Sequence, residues 1–139
     1  MIKFIGDINN PYAIVIPNDY DFEVGNIKFL TNIDSSQQIG IMHRASGYKI
    51  KPHKHNSIQR VISRTQEVLM IKNGKCKISI FDDNDSFISE IVVSAGDIVF
   101  LAMGGHGIEV IEDVSIIEIK QGPYLKENDK KYLKFDSDV

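Results

Sequence analysis

The chain has no tryptophan and a single cysteine in 139 residues. One cysteine, Cys76, cannot form an internal disulfide, so the fold draws nothing from an oxidising compartment. No apolar run approaches the roughly 18 residues that a spanning helix needs. Ile2, Lys3 and Phe4 pass directly into Gly6, Asp7, Asn9 and Asn10, without the apolar core of a secretory leader. A cytoplasmic protein is the expectation. Leu and Ala are scarce, at 5 and 4, against 23 Ile and 10 Val. β-Branched side chains fit a pleated surface better than a helix, so this imbalance points to sheet and excludes a helical bundle. A large excess of one sign of charge is missing too. Sixteen Lys and Arg against 19 Asp and Glu leave a net charge of −3, which argues against a general nucleic-acid or anionic-membrane binder.

What is present has a period of two. Short alternating or β-branched runs occur at 13–16, 26–30, 37–43, 47–50, 67–71, 76–81, 89–93, 98–101, 108–111 and 114–119. In the stretch 75–80, Cys76, Ile78 and Ile80 should face inward while Lys75, Lys77 and Ser79 face water. Asn73-Gly74 between two such runs is the strongest hairpin signal, and 82–86 and 94–97 read as further turns. About ten short strands in a chain of one-domain length predict a β-sandwich or small barrel. Beyond Gln121, Gly122 and Pro123 the composition turns charged. The tail 121–139 is expected to be short and partly helical, packing Tyr132 and Phe135 on the barrel or a neighbouring subunit, or else to be a loosely ordered terminus.

Four histidines occur: His43, His53, His55 and His106. On an extended strand His53 and His55 would project to one side, roughly 7 Å apart at Cα, a spacing suited to two ligands of one metal. Glu67 shares its strand face with Leu69 and Ile71. A carboxylate on an apolar face needs a partner, either a metal or an arginine such as Arg60 or Arg64. His106 lies between Gly105 and Gly107, which allow the backbone to turn sharply there. Two or three imidazoles with one carboxylate make a mixed N/O set typical of Zn, Fe, Mn, Ni or Co sites with open positions.

Gly47, His53, His55, Glu67 and Gly74 together resemble the first cupin motif, and Gly96, Asp97, Gly104 and His106 resemble the second. The resemblance covers residues 37–120. It implies an all-β double-stranded β-helix, a jelly-roll barrel in a single domain, with His53, His55, Glu67 and His106 holding one divalent transition metal. It also implies a homodimer, which would cover barrel edges. Residues 56–64 stand where the usual pattern has far fewer, so they should form an extra loop beside the site. Lys120, Gln121, Gly122, Pro123 and Tyr124 are similar to the ends of small cupins associated with bacterial surface-polysaccharide and nucleotide-sugar gene sets.

The three arginines, Arg44, Arg60 and Arg64, all flank the histidine pair. Arginine suits bidentate carboxylate or phosphate recognition, so these are the candidate substrate clamps; ordinary surface arginines are the alternative. Cys76, on an apolar strand face, reads as an inert core residue. Residues 104–107 are not a phosphate loop, because no helix pattern follows. Residues 82–85 resemble a calcium loop only in acid content. The expected function is metal-assisted chemistry, of isomerase, epimerase or oxygenase type, on a small anionic metabolite such as a sugar derivative or oxo acid. A non-catalytic sugar- or acid-binding protein is the alternative, distinguished by whether an acid/base residue (His43, Gln59, Glu109 or Tyr124) reaches the metal.

Overall fold

The alternation at 75–80 appears as expected in the computed structural model, which describes residues 1–134. Cys76, Ile78 and Ile80 are buried to within 1% of full burial. They belong to β5, Glu67–Phe81, the central strand of an all-β fold. The other strands are β1 (Lys3–Asp7), β2 (Asn10–Ile16), β3 (Lys28–Phe29), β4 (Gly40–Ile41), β6 (Phe87–Ser94), β7 (Ile98–Leu101) and β8 (Gly105–Lys120). A 3₁₀ turn, Lys126–Asn128, lies in the tail. Among the described residues, no helix is long and apolar enough to cross a membrane.

The main sheet runs β1-β2-β7-β5-β6, all antiparallel, with β8 along the other edge of β5. β7 pairs with the first part of β5 and β6 with the second, while β8 follows β5 from Glu67 to Phe81. The register of β8 on β5 shifts around Asn73 and Lys75, a bulged corner of the kind that bends a sheet. Gly74 sits there with φ +77°, and a Cβ on it would lie 1.9 Å from the Asp113 carbonyl oxygen. Only glycine satisfies both the left-handed conformation and that approach. The 94–97 turn packs beside the same corner, with the Gly96 N–H donating to Ile71 O and the Ala95 N–H to Gly74 O. The result is a curled antiparallel half-barrel.

This corrects the hairpin expectation. Asn73-Gly74 does not join two paired strands; it bends one strand whose partner bends with it. For the same reason 67–71 and 76–81 merge, as do 108–111 and 114–119, giving eight strands among the described residues instead of about ten. Residues 47–50 form no strand, and β1 is an addition. The turn at 82–86 forms as read, with Asp82 Oδ1 accepting from the N–H groups of Asn84 and Ser86.

One core cluster fills the concave side, built on Ala13, Leu69, Ile78, Val93 and Val99. A second, Ile14, Phe100 and Ala102, lies on the opposite face of β2 and β7 under Phe4, Leu30 and Ile39. Residues 13–16 are therefore buried on both faces, which explains an unbroken apolar run where strict alternation would leave one face wet. In the tail, Tyr132 is 83% exposed and does not pack on the sheet, while Leu133 lies against Gly105. Phe135 lies outside the described residues.

Candidate functional site

Glu67 opens β5 with its side chain on the face of Leu69 and Ile71, and only 14% of that side chain is exposed. His106 is placed by the turn before β8. There Gly104, at φ +72°, comes so close to the Phe81 carbonyl that a Cβ would sit 2.1 Å from its oxygen. In the β5–β8 ladder Glu67 pairs with Lys120, and His106 pairs with Ile80. The curl brings these two ends together, and Glu67 Oε2 lies 3.1 Å from His106 Nε2. Glu67 Oε2 is buried and accepts no aligned hydrogen bond.

The imidazole beside it is the largest influence on the Glu67 carboxyl and holds it below the usual carboxylate range. Burial pushes the other way, and Lys120 adds to the lowering. Lys120 Nζ in turn donates to Asp129 Oδ2 at 2.7 Å and lies 5.3 Å from the centre of the Tyr124 ring. Glu67, His106, Lys120 and Asp129 share a cavity of 1240 Å³ whose wall also includes Lys77 and Glu118. Seven carboxylates and four lysines line it, so its field draws cations.

His53 and His55 stand together, with ring centroids 5.4 Å apart, but on an exposed segment without strand pairing and outside that cavity's wall. His53 Nδ1 is 2.9 Å from Lys51 O. The structure thus unites Glu67 with His106 and His53 with His55, and does not unite the two pairs. Among the described residues no group of three or more His, Cys, Asp or Glu is arranged to hold a metal ion. His43 lies elsewhere, its Nδ1 2.8 Å from Phe22 O.

The arginines are engaged or distant. Arg64 makes a two-pronged contact to Asp83 at 3.2 and 3.3 Å. Arg44 stacks 4.5 Å over the Tyr48 ring and donates to Asn26 Oδ1. Arg60 is on the exposed segment, and none of the three lines the large cavity. The alternative of Glu67 as the buried partner of Arg60 or Arg64 does not describe this arrangement, because its close neighbours are His106 and Lys120.

Sequence reasoning passed over Gln66, the only buried polar side chain among the described residues, 7% exposed. Its Oε1 accepts from Ser36 Oγ and Gln37 N–H, and its Nε2 donates to Ala102 O. It borders a second cavity of 340 Å³ with Asn32, Ser35, Arg64 and Phe100. Lys120 and Asp129 were also passed over, since only the ladder register and the returning tail place them near Glu67. No protein-family profile, curated protein or solved structure matches this chain.

Proposed function

We propose that this protein is a small cupin-like barrel that binds one divalent transition metal and acts on a small anionic metabolite. The observation that carries the reading is Glu67 Oε2, buried without an aligned hydrogen bond, 3.1 Å from His106 Nε2. The imidazole is the nearest charge partner of this carboxylate and favours its ionised form, and a cation between the two would meet the oxygen that no aligned hydrogen bond satisfies. Two ligands of one metal at about 2.0–2.2 Å stand about 3 Å from each other, so this pair fits a metal as its first two donors.

His53 and His55 are the proposed remaining donors, and the half-barrel has an opening for them. The outer edge of β8 pairs with no strand among the described residues, and Ile108, Val110, Ile117 and Ile119 on that strand are each more than 40% exposed. The histidine segment likewise exposes Ile50, Ile58 and Val61. Pairing that segment with the free edge would bury both apolar sets, satisfy an open ladder and complete a double-stranded β-helix.

A metal held there would polarise a carbonyl or hydroxyl oxygen of the ligand. Glu67 and His106 would orient it, and Lys120 would supply positive charge beside them. Isomerase, epimerase and oxygenase chemistry all suit such a centre. The non-catalytic reading has one observation in its favour: His43 and Gln59 lie outside the large cavity, and the candidates at or beside it, Glu109 and Tyr124, are held by lysines. Glu109 pairs with Lys77 at 2.7 Å, Tyr124 faces Lys120, His43 contacts Phe22, and Gln59 lies on the exposed segment.

Cobalt(II) reconstitution tests the proposal. The parent should show the visible bands of a nitrogen- and oxygen-ligated ion. His53→Ala with His55→Ala should lose them while keeping a β-rich circular dichroism spectrum. Identical bands in that double variant would remove the histidine pair from the site.

A further inference from the structure

The tail 121–134 places one of its own carboxylates in the large cavity. Gln121 is anchored, its Oε1 accepting from the Gln66 N–H and its Nε2 donating to Ser36 Oγ. Beyond it the chain turns through Gly122 and the single 3₁₀ turn, and Asp129 swings back to Lys120. The Asp129 side chain is only 8% exposed. Among the described residues, the strap that carries it is also held by Lys131, which contacts Asp85 at 3.4 Å with its side chain 80% exposed, and by Leu133, which lies against Gly105. A carboxylate buried on the lysine next to Glu67 and His106 occupies the position that the anionic end of a ligand would take.

We propose that Lys120 is the anion-recognition residue of this cavity, and that Asp129 occupies it as an internal stand-in until a small hydroxy- or oxo-carboxylate displaces the tail. This rests on the reading of Glu67 and His106 as the functional centre. The stand-in sets the ligand class. Because Asp129 is tethered only nine residues along the chain from Lys120, it competes at a high effective concentration. A lone carboxylate is at a disadvantage against it. A ligand that places its carboxylate on Lys120 and a second oxygen at Glu67 and His106 gains a contact that Asp129 lacks. Departure of the strap frees Lys120 but also takes Lys130 and Lys131 from the cavity wall along with Asp129, so recognition of the anion falls to Lys120 itself.

The experiment is calorimetric titration of the full chain with glucuronate, pyruvate, inorganic phosphate and glucose, with and without added zinc. The proteins are the parent, Asp129→Asn, Lys120→Gln, Lys120→Arg and the Asp129→Asn/Lys120→Gln double variant. Asp129→Asn should tighten glucuronate or pyruvate about tenfold, the factor for a latch closed nine-tenths of the time. Lys120→Gln should abolish that binding and cancel the gain in the double variant, and Lys120→Arg should restore it. Trypsin should cut after Lys130 or Lys131 faster in Asp129→Asn than in the parent. Unchanged affinity in Asp129→Asn, equal binding of glucose, or parental binding by Lys120→Gln would overturn the proposal. Phosphate binding more tightly than both carboxylates would overturn the ligand class. Metal uptake without any Asp129 effect removes the latch alone; an Asp129 effect in protein that takes up no metal removes the metal reading alone.

Discussion

Glu67 and His106 stand at opposite ends of the longest ladder in the protein, yet their side chains meet at 3.1 Å. His106 pairs with Ile80, thirteen residues beyond Glu67 along β5. In a straight strand that interval spans about 43 Å. The meeting therefore depends on the corner at Gly74, and the site is a product of the curl as much as of the two residues.

Gly74→Ala should weaken the fold and the site together. Its left-handed φ alone carries about 1–2 kcal/mol for a residue with a Cβ, and the approach to Asp113 O adds to this. Gly25→Ala, with no atom within 4 Å of the new Cβ, should stay within about 0.5 kcal/mol of the parent. Urea melts of the two variants check the contrast, and equal midpoints would contradict it.

Gln66→Ala should destabilise the protein by about 1–3 kcal/mol, because it strands the Ser36 hydroxyl, the Gln37 N–H and the Ala102 carbonyl in a poorly solvated place. Gln66 and Glu67 are neighbours that line different cavities. Metal uptake at low temperature, where the variant is still folded, should be retained. Loss of uptake in folded protein would show that the two cavities are not independent.

Glu67→Gln should change the stability of metal-free protein by less than about 1 kcal/mol, since the amide keeps the shape of the side chain and the groups that face it, His106 and Lys120, stay partly open to water. Metal affinity should fall. A loss of about 3–5 kcal/mol in the metal-free form would instead mark Glu67 as half of a buried structural ion pair.

The Lys120–Asp129 contact should be sensitive to acid and salt. The hydrogen bond from Lys120 is the largest cause holding the Asp129 carboxyl below its ordinary value. A lowered folded-state value means that the contact stabilises above the unfolded carboxylate range and is lost as pH falls through the folded value. Amide exchange in the tail should therefore rise at acid pH before the sheet opens, and earlier at high salt. Tail and sheet exchanging together would contradict this.

Cys76 should resist thiol reagents until the protein unfolds. It is fully buried, and burial pushes its thiol up, which withholds the reactive thiolate. Modification at the rate of a free thiol in native protein would contradict the packing around Ile78.

Much of the strand content was legible because alternation reports directly on which side of a strand is dry. Cys76, Ile78 and Ile80 illustrate this, and 98–101 coincides with β7. Asn73-Gly74 read as a hairpin and is instead a bend shared by two strands, a difference that depends on which partner lies alongside. Glu67 was legible as a carboxylate on an apolar face, and His106 as an imidazole on a glycine turn. Lys120 and Asp129 were not, because their meeting is set by register and by a tail returning from the end of β8. The placement of the arginines was not legible for a similar reason: closeness in sequence to His53 does not say that Arg64 will meet Asp83.

Whether Glu67 and His106 hold a metal is decided by elemental analysis of protein purified without an affinity tag. Close to one transition metal per chain is expected, before or after reconstitution, falling sharply in Glu67→Gln and in the His53→Ala/His55→Ala variant. No metal in the parent, and none taken up on reconstitution, would contradict it.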